Sequence, residues 1–225
     1  MVKKGVWFLL PAVVMLTAAA RYLGGWAVIT VDDLPDYVTV GQPVKLSFMV
    51  RQHGMTLLDG LSPRIQARSG STEAVSDATP VGLLPGRGHY TATVVLPKAG
   101  DWTLTVRSGF GASNATLLPI RAVDSRAGAP PSLAEYERGR RLFIAKGCFT
   151  CHVNTEATSQ PGIAVGPVLT ERRYPADYLS KLLANPEVVR PPRPGAPTMP
   201  NLGLKEREIA SLVAFINADR QVSAR

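Results

Sequence analysis

The chain has 225 residues, 45% of them hydrophobic, which is ordinary for a globular protein and enough for one large core or two small ones. Its formal charge is +8, yet Lys and Arg are scattered and no basic helix or run is present. That pattern argues against nucleic acid and fits a solvated surface that favours an acidic partner. The two cysteines stand three positions apart, too close for the longer loop that a structural disulfide usually closes.

The first residues read Met-Val-Lys-Lys and are followed by an apolar stretch from Val6 to Ala20. This is a positive n-region before an h-region, with Ala18, Ala19 and Ala20 as a small-residue cleavage site. The run is shorter than the roughly 20 apolar residues of a full crossing, although Tyr22, Leu23 and Trp26 extend it past Arg21. Residues 1–22 are therefore a signal peptide or a membrane anchor. With Lys3 and Lys4 retained inside, either reading places the rest of the chain on the periplasmic, extracytoplasmic side.

Residues 23–122 read as β structure. Trp26 to Val31 is apolar and β-branched, and period-two alternation runs through Val44, Leu46, Phe48 and Val50, through Tyr90, Ala92, Val94 and Leu96, and through Trp102, Leu104 and Val106. Turn residues at 41–43, 85–88, 97–101 and 109–111 separate these runs, which predicts an all-β, immunoglobulin-like antiparallel sandwich. Residues 123–133, with Pro130-Pro131, read as a linker. Beyond it the period changes. Leu133, Tyr136, Arg140 and Phe143 share a helix face, Tyr174 to Asn185 is a second helix stopped by Pro186, and Ile209, Leu212, Val213 and Ile216 recur as in an amphipathic helix. The spacing predicts a small all-α domain over 134–225.

Within that domain Cys148-Phe149-Thr150-Cys151-His152 is a C-x-x-C-H motif. Two thiols at this spacing can add to the two vinyl groups of one porphyrin, and the adjacent histidine is then held under the iron. A thioredoxin pair would want a βαβ context, and a zinc site would want two more Cys or His, but none stands after His152. The sixth ligand is reached by elimination. The one methionine after His152 is Met199, in a Pro-rich, non-periodic loop (Pro191, Pro192, Pro194, Pro197, Pro200) unsuited to core filling. One covalent haem c with His152 and Met199 as axial ligands is the expectation.

These pieces together make residues 134–221 resemble a class I cytochrome c. Gly139 and Phe143 precede the motif as in that family's first helix, Gly166-Pro167-Val168-Leu169 resembles the turn after the haem, Met199-Pro200-Asn201-Leu202 resembles the methionine loop, and Leu212, Val213, Phe215 and Ile216 resemble the last helix. The resemblance implies an all-α cytochrome c fold, with the Pro167 carbonyl orienting His152, and with Phe143 and Leu169 beside the cofactor. It also implies a last helix crossing the first near Gly139, where the missing Cβ permits close approach. Tyr178, Arg172 and Arg173 are candidate partners of the haem propionates. The family often caps the last helix with Ser or Thr. Lys205 stands there instead and cannot accept from the free N–H groups.

The β segment resembles the FixH-like or YtkA-like periplasmic sandwich domains, through residues 50–54, 88–92 and 99–102. It holds no catalytic constellation and reads as a docking or spacer module. His53 and Met55 are too few for a copper site, and His89 reads as a strand-edge residue. The whole predicts an electron-transfer cytochrome, not itself an enzyme, that is a membrane-associated subunit or donor of a respiratory or photosynthetic complex. A metal-delivery or assembly factor acting through the sandwich, and a haem enzyme with an open sixth position, are the alternatives.

Overall fold

The computed structural model describes residues 25–82, 88–128 and 130–218. The expected signal or anchor at residues 1–22 and most of the turn at 85–88 lie outside the described residues. Among the described residues no helix is long and apolar enough to cross a membrane.

Residues 27–123 fold into eleven strands: β1 (Ala27–Val31), β2 (Tyr37–Thr39), β3 (Pro43–Gln52), β4 (Thr56–Leu57), β5 (Arg64–Ser69), β6 (Thr72–Asp77), β7 (Thr79–Pro80), β8 (His89–Val95), β9 (Gly100–Arg107), β10 (Asn114–Thr116) and β11 (Ile120–Val123). One sheet runs β1-β3-β8-β7 with β4 on β3, and the other runs β2-β11-β9-β5-β6 with β10 on β9. Alternation decides which side chains enter the core. Leu46, Phe48 and Val50 of β3 are buried, as are Tyr90, Ala92 and Val94 of β8 and Trp102, Leu104 and Val106 of β9. Cross-strand pairing then sets Phe48 opposite Tyr90, with ring centroids 6.1 Å apart. All pairings are antiparallel except β2 with β11, which is parallel.

Among the described residues, five α-helices come after the strands: α1 (Glu135–Ala145), α2 (Cys148–Cys151), α3 (Ala176–Ala184), α4 (Pro186–Val189) and α5 (Glu206–Ile216). α1 crosses α5 at Gly139, where a Cβ would lie 1.9 Å from the Ser211 carbonyl oxygen. Phe215 of α5 packs on Tyr136 and Phe143 of α1, at 5.5 and 5.7 Å between centroids. Glu208 accepts from the Lys205 N–H at 3.0 Å, so a carboxylate in the first turn takes over part of the capping that Lys205 cannot perform.

The expected fold class, an immunoglobulin-like sandwich followed by an all-α cytochrome c fold, is corrected. Residues 27–123 are a β-rich sheet region, and the C-terminal part is a small helical region rather than an all-α fold, with 22% of the described residues helical. Proline is the physical reason. Pro161, Pro167, Pro175, Pro191, Pro192, Pro194, Pro197 and Pro200 fall in the segments 152–175 and 190–205, where missing N–H donors and restricted preceding residues prevent a helix from propagating.

The two regions meet through an extensive contact. Arg138 binds Asp36 with both arms, Nη2 at 2.6 Å and Nε at 3.1 Å, and Arg141 donates to the Asp36 carbonyl. Lys146, 3% exposed, reaches both Glu208 (2.7 Å) and the Asp32 carbonyl (2.5 Å). The Gln160 amide accepts from the Thr116 N–H and donates to its carbonyl, extending β10 by a side chain. Lys205 also pairs with Asp33.

Candidate haem-binding site

Gly147 ends the turn after α1 with φ +78°, a left-handed conformation that glycine adopts at no steric cost, and so opens α2. α2 is one turn long and sets Cys148, Cys151 and His152 at the edge of a single cavity of about 690 Å³. Pockets of about 300–1,000 Å³ accommodate cofactors of this kind. Both thiols are free. Burial pushes the Cys148 thiol up to about 12 and raises that of Cys151, so both are held as neutral S–H groups.

His152 is fixed by the chain beyond it. Its Nδ1 lies 2.9 Å from the Pro167 carbonyl oxygen. A carbonyl only accepts, so Nδ1 carries the proton and Nε2 keeps its lone pair, the tautomer that a metal ligand requires. Burial draws the imidazole below its ordinary value, while the Pro167 carbonyl acts in the opposite sense. Gly166 permits the approach, since a Cβ there would stand 2.4 Å from His152 Cε1. Two backbone bonds brace the same turn, Gly166 N–H to Cys151 O and Ile163 N–H to Thr150 O, both 2.8 Å.

Met199 and its neighbours Pro200 and Leu202 line the same cavity, as do Pro167, Tyr178 and Leu182. Phe143 and Leu169 are buried but do not line it. Phe143 belongs instead to the α1–α5 contact. Arg172 and Arg173 do not line the cavity either. Arg190 and Arg193, which the sequence did not single out, do, and so does Val28 of the β region. The fit to a haem is chemical. Two thiols, an imidazole nitrogen with a free lone pair and a thioether border one space walled by Val28, Val165, Leu182, Val189 and Leu202, with two guanidinium groups at hand for carboxylates.

The other candidate ligands are apart from this site. His89 Nε2 pairs with Asp32 Oδ2 at 2.6 Å, and the His53 ring leans on Trp26 at 5.4 Å. Met55 is exposed. No group of three or more His, Cys, Asp or Glu able to hold a metal occurs among the described residues.

A C-x-x-C-H turn opening on a cavity, with a methionine on the same cavity, is an arrangement whose residues fit a covalently held haem. Residues 136–218 match the family model for Cytochrome c, which supports a cytochrome c domain over that C-terminal stretch. The family implies covalently bound haem c and a haem-based electron-transfer role. The match leaves residues 27–123 outside it. Comparison with curated proteins returns no match. Similar solved structures include domains 4 and 5 of the S-layer protein SbsC, at 20% identity and TM-score 0.32, covering 42% of this chain and 50% of that one. MtrC from Shewanella baltica is similar at 13% identity and TM-score 0.26, covering 62% and 31%. The chain thus spans about half the length of the first of these, and neither likeness bears on fold or function.

Proposed function

We propose that the protein is a monohaem electron carrier, with haem c joined to Cys148 and Cys151 and its iron held between His152 Nε2 and the Met199 sulfur. The observation that carries this reading is the convergence of all four side chains on one cavity, with His152 Nδ1 tied to the Pro167 carbonyl. When bound, the haem supplies one-electron redox chemistry at iron. The chain does the rest. Pro167 selects the imidazole tautomer, the Pro-rich loop 191–200 stiffens the segment bearing a weak thioether ligand, and the apolar wall keeps water from the cofactor. With His152 and Met199 both holding the iron, the haem would serve electron transfer rather than bind a substrate, and catalysis would belong to a partner protein.

Arg190 and Arg193 are the proposed partners of the propionates, with Tyr178. The charge of +8 supports docking on an acidic redox partner, whose association rate should fall as ionic strength rises. The lysine-led apolar segment at residues 1–22 supports placement on the periplasmic side of the cell membrane, anchored or secreted, as a subunit or donor of a membrane electron-transfer complex. A potentiometric titration of the matured protein, together with a haem-to-protein ratio, tests the reading. A one-electron wave with one haem per chain is expected. A protein that binds ferric ligands without resistance, or whose potential is unchanged by Met199→His, would overturn the ligand assignment.

A further inference from the structure

β1 is an edge strand, yet all five of its residues are buried. An edge strand covered on both faces is held between two layers. Ala27, Ile29 and Val31 belong to the main hydrophobic core cluster. Val28, 2% exposed, does not, and it lines the cavity that receives Cys148, Cys151, His152 and Met199. Alternation along the strand explains the split, since successive side chains leave on opposite faces.

Val28 lies against one half of the site, and Gly54 stands between it and the other. Gly147 lies so close to β1 that a Cβ on it would stand 2.5 Å from Val28 Cγ1 and 2.6 Å from the Ile29 carbonyl oxygen. Gly54, in the turn between β3 and β4 with φ +77°, sits where a Cβ would be in ordinary contact with Val28 Cγ2 (3.5 Å) and with Pro200 Cγ (3.6 Å). The β region therefore packs on the glycine that opens α2 and on the proline next to Met199. Two polar contacts fix the first of these: Thr30 Oγ1 donates to the Lys146 carbonyl at 3.4 Å, and Lys146 Nζ donates to the Asp32 carbonyl at 2.5 Å.

We infer that the β region is a built part of the haem site, with Val28 as a positioning residue that walls the cavity and, with Gly54, backs the Met199 loop. The inference rests on the reading of His152 and Met199 as the axial ligands. Side-chain polarity at position 28 then tunes the reduction potential, because an apolar wall disfavours the oxidised, more positively charged cofactor. Side-chain volume at position 28 tunes how firmly the loop presents its thioether.

The test uses the full chain matured with haem, as wild type and as Val28→Thr, Val28→Ala and Val106→Ala. Val106 receives the same truncation in the core of the β region but does not line the cavity. The expected result is that Val28→Thr, close in shape but polar, lowers the midpoint potential. Val28→Ala raises the affinity of the ferric protein for added imidazole about three- to tenfold, the scale set by a lost buried methyl pair, and weakens the far-red charge-transfer band of ferric methionine ligation. Val106→Ala should lower Tm and leave potential, band and imidazole affinity at wild-type values. If Val28→Ala does not fold, Val28→Thr decides through its potential. Wild-type potential and imidazole affinity in the Val28 variants that fold would overturn the inference. A wild-type protein lacking covalent haem or the methionine band would instead overturn the ligand reading beneath it, so the two failures are told apart.

Discussion

Single residues carry the chemistry, and their order along the chain made part of it readable. Cys148, Cys151 and His152 are so close in sequence that spacing alone announced them, and Met199 emerged because no other strong ligand stands beyond His152. Arg190, Arg193 and Val28 gave no such signal. The arginines lie in a Pro-rich segment without periodicity, and Val28 comes from a strand 120 positions before Cys148, brought to the cavity only by the tertiary fold. Phe143 was placed beside the cofactor by resemblance, but its helix face turns it toward Phe215. Two outcomes are expected at this scale. Replacing Cys148 and Cys151 together by Ala should abolish haem staining on a denaturing gel while leaving the β region folded by circular dichroism. Met199→His should keep the iron low-spin but lower the midpoint potential, since thioether ligation is the feature that raises it.

At the scale of elements, α1 and α5 show a local preference yielding to packing. In an exposed helix, Gly139→Ala would gain about 1 kcal/mol of helix propensity. Here the new Cβ would meet the backbone of Ser211 at 1.9 Å, and a backbone cannot rotate aside. Overpacking costs about 1–3 kcal/mol, so the clash should win and Gly139→Ala should destabilise the protein, measured as a lower midpoint in urea with unchanged slope. The crossing was legible from Gly139 and the 3.6-residue period of 209–216. The helix content was not. Pro191, Pro192, Pro194, Pro197 and Pro200 mark the Met199 loop in the sequence, but with Pro161, Pro167 and Pro175 they also leave much of the C-terminal region irregular. An all-α expectation therefore failed where the chain lacked N–H donors rather than apolar residues.

The whole molecule differs most from a reading made segment by segment. Period-two alternation placed β3, β8 and β9, because half-buried strands advertise themselves. The run Ala27 to Val31 is apolar without interruption save Thr30, which for a strand means cover on both faces, and on the Val28 and Thr30 face that cover is the helical region. The Asp36–Arg138 pair spans this contact, and the guanidinium holds the Asp36 carboxyl below its ordinary value of 3.8. A carboxylate depressed in the folded state stabilises it above the ordinary value, and the contribution is lost as pH falls through the lower, folded value. Stability should therefore drop below about pH 4 by a part that Asp36→Asn removes. At neutral pH Asp36→Asn should cost about 1 kcal/mol, as befits a partly screened pair, and thermal melts at neutral and acidic pH read both effects.

Covalent haem held between His152 and Met199 is tested most directly by the visible spectrum of the purified, matured chain before and after acid–acetone extraction. The pigment should stay with the polypeptide, and the untreated ferric protein should show a methionine charge-transfer band which Met199→His removes. A colourless polypeptide after extraction, or a ferric spectrum indifferent to residue 199, would contradict it.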